Sequence, residues 1–127
     1  MLKGLKIVNV DDNHAEMYMY GPILDDTEKL PESYFGEGCN EGYNFPLEIK
    51  KQLDELDGKT IDVYINSPGG NVGAGMAIAN MLARHNGKTI AHNDGEVASI
   101  AVMPYMSCDE REMSSNSTMM VHQPFIS

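Results

Sequence analysis

The sequence predicts an α/β fold, and three features carry that prediction. Residues 61–66 form a short apolar, β-prone run, residues 72–86 are helix-prone, and residues 88–92 are β-prone again, so strand, helix and strand follow one another as a βαβ unit. Ser67-Pro68-Gly69-Gly70, a tight-turn composition, separates the first strand from the helix. In such a unit the two strands are parallel and the crossover right-handed.

Residues 7–10 and 17–23 are runs of apolar, β-branched and aromatic side chains. Asp11, Asp12 and Asn13 between them favour a turn, so a β-hairpin is expected. From 24 to 44 the composition turns acidic, and Pro31, Gly36, Gly38 and Gly42 break any period, which predicts a surface loop. Asn44 is placed to cap a helix with Pro46 in its early turn; Leu47, Ile49, Leu53 and Leu56 form its apolar face, and Gly58 ends it. The strand over 61–66 is expected to be buried, and the helix over 72–86 carries Met76, Ala77, Asn80, Met81 and Arg84 on neighbouring turns before Gly87 closes it.

After the strand at 88–92, Asn93-Asp94-Gly95 reads as a turn. Residues 97–106 are apolar enough for a buried helix, which Pro104 should end or kink. A turn at 107–109 leads into the last two strands, 111–113 and 118–122, joined through 114–117. Neither an internal repeat nor an interdomain linker is evident, so a single domain over 1–127 is expected.

A chain of 127 residues can bury roughly two-thirds of the surface its unfolded form exposes, enough for one core. No run approaches the ~18 unbroken apolar residues of a membrane span, and the first ten residues lack the apolar stretch and cleavage site of a secretory leader. A cytoplasmic protein without membrane association is therefore expected. Nine basic against nineteen acidic residues give a net charge of -10, which repels phosphate backbones and argues against a nucleic-acid partner. Cys39 and Cys108 are far apart with no CxxC neighbour, so reduced thiols are expected, with no disulfide, metal or cofactor.

The chemistry concentrates at two turns: Ser67-Pro68-Gly69-Gly70, and Gly95-Glu96-Val97-Ala98-Ser99 leading into a second helix. Backbone N–H groups at helix starts lack intrahelical partners and carry partial positive charge, so they suit a ligand oxygen or a developing oxyanion. Glycine adds close approach. Taken alone, the glycine pair is a plain tight turn and Ser99 an N-cap. A nucleophilic serine needs a base, and His122 ends a strand expected in the same sheet as the βαβ unit. His85 falls near a helix C-terminus, and His14 and His92 fall at turns, where solvent would hold them.

Read in order, Val63-Tyr64-Ile65-Asn66-Ser67-Pro68-Gly69-Gly70, Ala74-Gly75-Met76-Ala77-Ile78, 95–99 and Met119-Met120-Val121-His122-Gln123-Pro124 resemble the ClpP family, the proteolytic subunits of Clp proteases. The resemblance runs from about Glu16 to Ser127 and implies a crotonase-like spiral of βαβ units, serine endopeptidase activity on polypeptides and assembly of copies into rings. It places the nucleophile on Ser99, the base on His122 and the oxyanion hole on the amides of Gly69 and Ile100. An extended substrate would lie beside Gly70, Asn71 and Val72. The acidic loop and the Gly58-Lys59-Thr60 lead look closest to phage and prophage head maturation proteases, with capsid proteins or an unfoldase ATPase as partners.

The family's third triad residue, an aspartate, falls beyond Ser127, as does its ring-building helix, so a truncated chain is expected. Without that carboxylate turnover could fall ~10⁴-fold. Two other readings stand beside the peptidase: a catalytically silent ClpP-like subunit that only packs into an assembly, and an acyl-CoA hydratase-type enzyme of the crotonase fold. Retention of Ser99 and His122 argues against the first, and the second works with carboxylates rather than a serine and histidine.

Overall fold

The structure, a computed structural model, describes residues 6–121. Its strands form one mixed sheet. β1 (Ile7–Val8) pairs antiparallel with β2 (His14–Tyr20), which gives the expected hairpin. β3 (Thr60–Ser67) lies parallel to β2, and β4 (Thr89–Ala98) parallel to β3. β5 (Glu110–Met113) and β6 (Thr118–Met120) both pair parallel with β4 on the edge that β3 leaves open. The helices are α1 (Glu32–Phe35), a single turn within the acidic loop, α2 (Pro46–Glu55), α3 (Val72–Arg84) and α4 (Val102–Ser107).

Period-two alternation decides which face of the sheet meets the helices. Ala15, Met17 and Met19 of β2 and Ile61, Val63 and Ile65 of β3 are fully buried, and they pack with Ile49 and Leu53 of α2, Ile78 and Leu82 of α3 and Tyr105 of α4 into one core. A buried Ile or Met contributes ~1.5–3 kcal/mol, and a one-residue slip would turn each of these side chains to the opposite face, so the register is strongly specified. The intervening residues, including Glu16, Tyr18, Asp62 and Tyr64, stay half-exposed. β3 is therefore buried on one face, not on both as its apolar run suggests. Tyr18 stacks on Tyr64 at 4.9 Å between ring centroids, and Tyr64 on His92 at 4.5 Å.

Four expectations need correction. Asn93-Asp94-Gly95 is no turn, because β4 runs through it. Ile65 pairs with Asn93 and Ser67 with Val97, so β4 advances four residues while β3 advances two, and the turn-type residues are absorbed as a bulge. Asn44 does not cap α2. It is buried, and its Nδ2 donates to the Tyr20 carbonyl at 2.8 Å, tying the acidic loop to the end of β2, while Phe45 precedes Pro46 at the helix start with no side-chain cap.

Pro104 does not break its helix. It is the third residue of α4, in the first turn, where a backbone N–H has no intrahelical partner to lose. The strain falls one turn earlier, where 99–101 form a 3-10 turn instead of helix. His14 and His92 lie in strands, not at turns, and both face the Asp62 carboxylate, His92 Nε2 at 2.7 Å.

Smaller departures follow from packing. Leu47 is exposed although Ile49, Leu53 and Leu56 are buried as expected, and the inner face of α3 is Ala74, Gly75, Ile78, Ala79 and Leu82, with Met76 turned to solvent. His85 Nε2 meets the Lys59 carbonyl at 2.8 Å. Cys39 and Cys108 are free thiols, and burial pushes the Cys108 thiol up to about 11. Among the described residues no helix is long and apolar enough to cross a membrane.

Candidate active site

Ser99 stands where β4 ends. Ala98 is extended with φ -124°, and Ser99 then turns into the left-handed region at φ 55° before the chain enters the 3-10 turn. Among the described residues only Asn9 shares that conformation without being glycine. Asparagine tolerates it, whereas serine meets a penalty of roughly 1–2 kcal/mol that the surrounding structure must hold in place. What holds it is close packing. A Cβ placed on Gly69 would lie 2.9 Å from Ser99 Cβ, 2.8 Å from the Ala98 carbonyl oxygen and 3.2 Å from the Ile100 nitrogen. Only a glycine, here at φ 95°, fits that space.

The second amide is fixed in the same way. A Cβ on Gly75 of α3 would lie 2.5 Å from Ile100 Cγ1, so the missing side chain lets Ile100 rest against the helix. Ser99 and Ile100, neighbours in the chain, thus meet Gly69 from the turn before α3 in one cluster. Gly69 is buried and Ser99 half-buried between the end of β4 and the start of α3.

The Gly69 N–H is not idle. It donates to Ser67 Oγ at 3.1 Å, and Ser67 is fully buried at the end of β3. The Gly69 carbonyl accepts from the Ile23 amide at 2.8 Å, which extends β2 alongside the turn. Ile23 also accepts from the Asn71 amide at 2.8 Å, and a Cβ on Gly70 would lie 2.0 Å from the Ile23 oxygen. Asn71 caps α3 through Oδ1 and the Ala74 amide, and its own carbonyl accepts from Gly75 at 3.0 Å. Both main-chain groups of Asn71 are therefore in use, while Gly70 and Val72 are exposed.

β6 runs beside the strand that delivers Ser99. Thr118 pairs with Glu96, Met119 with Val97 and Met120 with Ala98. His122 lies outside the described residues. Two asparagine side chains hold the bulge between β3 and β4: Asn66 Oδ1 accepts from the Glu96 amide at 3.0 Å, and Asn93 Oδ1 accepts from the Gly95 amide at 3.1 Å. Sequence reasoning missed Ser67, Asn66 and Asn93. Ser67 precedes the glycine turn and the two asparagines flank the bulge, places where a short polar side chain substitutes for a lost backbone partner.

Apart from Ser99, the main group of ionisable side chains lies on the half-exposed sheet face. There His92 Nδ1 lies 3.0 Å from Glu112 Oε2, and His14 and His92 flank Asp62. Burial pulls the Asp62 carboxyl up, but the hydrogen bonds from His92 and His14 outweigh it and hold it below its ordinary value. The donors stand on opposite sides of one carboxylate, so they converge on no common point, and among the described residues no group of three or more such side chains could hold a metal ion.

The sequence pattern of the Clp protease family matches residues 48–127. The ATP-dependent Clp protease proteolytic subunit of Bacteroides thetaiotaomicron is 37% identical over 75 residues, covering 57% of this chain and 34% of that protein. That of Bacteroides fragilis is 36% identical over 75 residues, covering 57% of this chain and 36% of its own. The chain thus spans about a third of the length of these relatives. Among solved structures, ClpP1 from Listeria monocytogenes superposes with a TM-score of 0.65 at 24% identity, covering 86% of this chain and 56% of that one. The ClpP protease catalytic domain from Plasmodium falciparum gives a TM-score of 0.64 at 25% identity, with 86% and 54% covered.

Proposed function

The chain belongs to the Clp protease family, and from that membership we propose that it is a serine endopeptidase acting by acyl transfer, with Ser99 as nucleophile and His122 as general base. The observation that supports this reading is the close approach of Gly69 to Ser99 and the Ile100 nitrogen, because it sets the strained Ser99 backbone beside two main-chain amides. His122 takes the proton of Ser99 Oγ as that oxygen bonds to the peptide carbonyl carbon. The oxyanion so formed accepts from the Gly69 and Ile100 N–H groups. The C–N bond then breaks, the amine leaves with the proton from His122, and water releases the acyl group by the same route.

A polypeptide substrate would add as an extended strand beside Gly70, Asn71 and Val72, of which the Asn71 main chain is already in use. The relatives' name, proteolytic subunit of an ATP-dependent protease, supports an ATPase partner, and family membership supports ring assembly from copies of one domain. Head maturation in a phage is the narrower reading, supported by the acidic loop before α2.

Hydrolysis of a quenched fluorescent protein substrate tests the reading. Wild type should cleave it, and Ser99→Ala should cleave at least ~10³-fold more slowly; equal rates would reject the assignment. One observation favours the silent-subunit alternative, namely that the Gly69 N–H is already engaged by Ser67. That alternative predicts no cleavage by either protein.

A further inference from the structure

Ser99 stands level with Gly69 because β4 takes up two residues that β3 does not match. Ile65 pairs with Asn93, but Ser67 pairs with Val97. An unbroken register, carried past the end of β3, would put Val97 opposite Gly69 and Ser99 opposite Asn71, about 6.6 Å further along at ~3.3 Å per residue. An even number of extra residues also keeps the alternation of faces, so Asn93 and Val97 are both buried on either side of the bulge. The offset is thus neutral for the core and decisive for Ser99.

Among the described residues, one side chain of β3 bonds to the bulge. Asn66 Oδ1 accepts from the Glu96 amide at 3.0 Å. Gly95 lies against the same carboxamide, where an added Cβ would stand 2.9 Å from Oδ1 and 3.3 Å from Cγ. Gly95 does not adopt a positive φ, so its missing side chain answers the proximity of Asn66 and not a backbone need. The Asn66 carbonyl accepts from the Gly21 amide at 2.9 Å, which anchors the residue to the end of β2.

We infer that Asn66 is a positioning residue that holds this offset and so keeps Ser99 beside the Gly69 and Ile100 amides. This rests on the proposed role of Ser99 as nucleophile. Without the Oδ1 acceptor the Glu96 N–H loses its tie to β3, and the bulge is free to shift toward the even register, which moves Ser99 along the strand. A displacement of about 1 Å at a reacting group can cost on the order of 10²-fold in rate.

The test compares wild type, Asn66→Ala and Asn66→Asp in the 127-residue chain by the saturation kinetics of fluorophosphonate labelling at Ser99. Asn66→Ala should lower the rate at saturating probe about 10²-fold and leave the half-saturating concentration in place, since binding of the probe does not depend on the alignment of the hydroxyl. Asn66→Asp offers the Glu96 amide a carboxylate acceptor and should restore most of the rate. A wild-type rate in Asn66→Ala, a loss carried by the half-saturating concentration alone, or no restoration in Asn66→Asp would overturn the inference and leave the peptidase reading standing. Failure of wild type to label would overturn the peptidase reading and the inference with it. Should circular dichroism show Asn66→Ala unfolded, Gly95→Ala takes its place: its Cβ displaces the Asn66 carboxamide from Glu96, the same loss of rate is expected, and unchanged labelling would overturn the inference.

Discussion

The Gly69 amide donates to the hydroxyl of Ser67 at 3.1 Å, so the donor assigned to the oxyanion is satisfied internally in the resting protein. Removing that acceptor by Ser67→Ala leaves a buried N–H without a partner, at a cost of about 1–3 kcal/mol. A phosphonyl oxygen bound at Ser99 would supply a new acceptor. Ser67→Ala should therefore lower the melting temperature of the free protein, and the deficit should shrink in the fluorophosphonate adduct. Equal deficits in both forms would show that the Gly69 amide does not face the reacting oxygen.

Gly69→Ala should cost both stability and activity. Its Cβ would stand 2.9 Å from Ser99 Cβ in a backbone conformation of φ 95°. Alanine keeps the N–H but the clash displaces it, so the loss of turnover should approach the ~10²- to 10³-fold typical of a deleted oxyanion donor. Gly36 provides the control: its φ is 100°, but no atom lies within 4 Å of an added Cβ. Gly36→Ala should show only the backbone penalty of about 1–3 kcal/mol for a side chain in this glycine-favoured positive-φ region, by denaturation, with activity retained.

The Asp62 carboxyl is held below its ordinary value in the fold by the hydrogen bonds from His92 and His14 that outweigh its burial. A depressed carboxylate stabilises above its unfolded pKa of about 3.9 and loses that contribution as pH falls through the folded value. The stability difference between wild type and Asp62→Asn should therefore be level near neutrality and shrink in acid. Urea midpoints across the acid range check this, and a difference that grows on acidification contradicts it.

Tyr20 and Tyr64 are both pushed up to about 12, Tyr20 by burial and by its hydrogen bond to Asp94, and Tyr64 by burial and by the charges of Glu16 and Asp62. A raised folded pKa gives stability that is complete below the unfolded value of about 10 and is lost as pH rises through the folded one. Stability should fall between roughly pH 10 and 12, and Tyr20→Phe with Tyr64→Phe should lessen that fall. Tyrosinate difference absorbance should show at least four of the six tyrosines titrating late, since burial raises Tyr18 and Tyr105 as well as Tyr20 and Tyr64.

Local chemistry made much of this protein legible from its residues. Gly69 and Ser99 stood out because turns into helices carry local signatures, and the apolar, β-prone run over 61–66 marked the strand before Gly69. What stayed hidden depends on partners distant in the chain. Asn93-Asp94-Gly95 has turn composition, yet pairing with β3 on one edge and with β5 and β6 on the other turns it into a bulge. His14 and His92 look like solvent-facing residues until β2, β3 and β4 bring Asp62 between them. Asn44, a natural cap by type, finds three carbonyls at the end of β2 more than twenty residues earlier in the chain.

Mass-spectrometric mapping of a fluorophosphonate adduct on the full chain tests the central claim most directly. A single phosphonyl group on Ser99, absent after Ser99→Ala and slowed by His122→Ala, is the predicted result. An unmodified Ser99, or an adduct that forms as fast without His122, would contradict it.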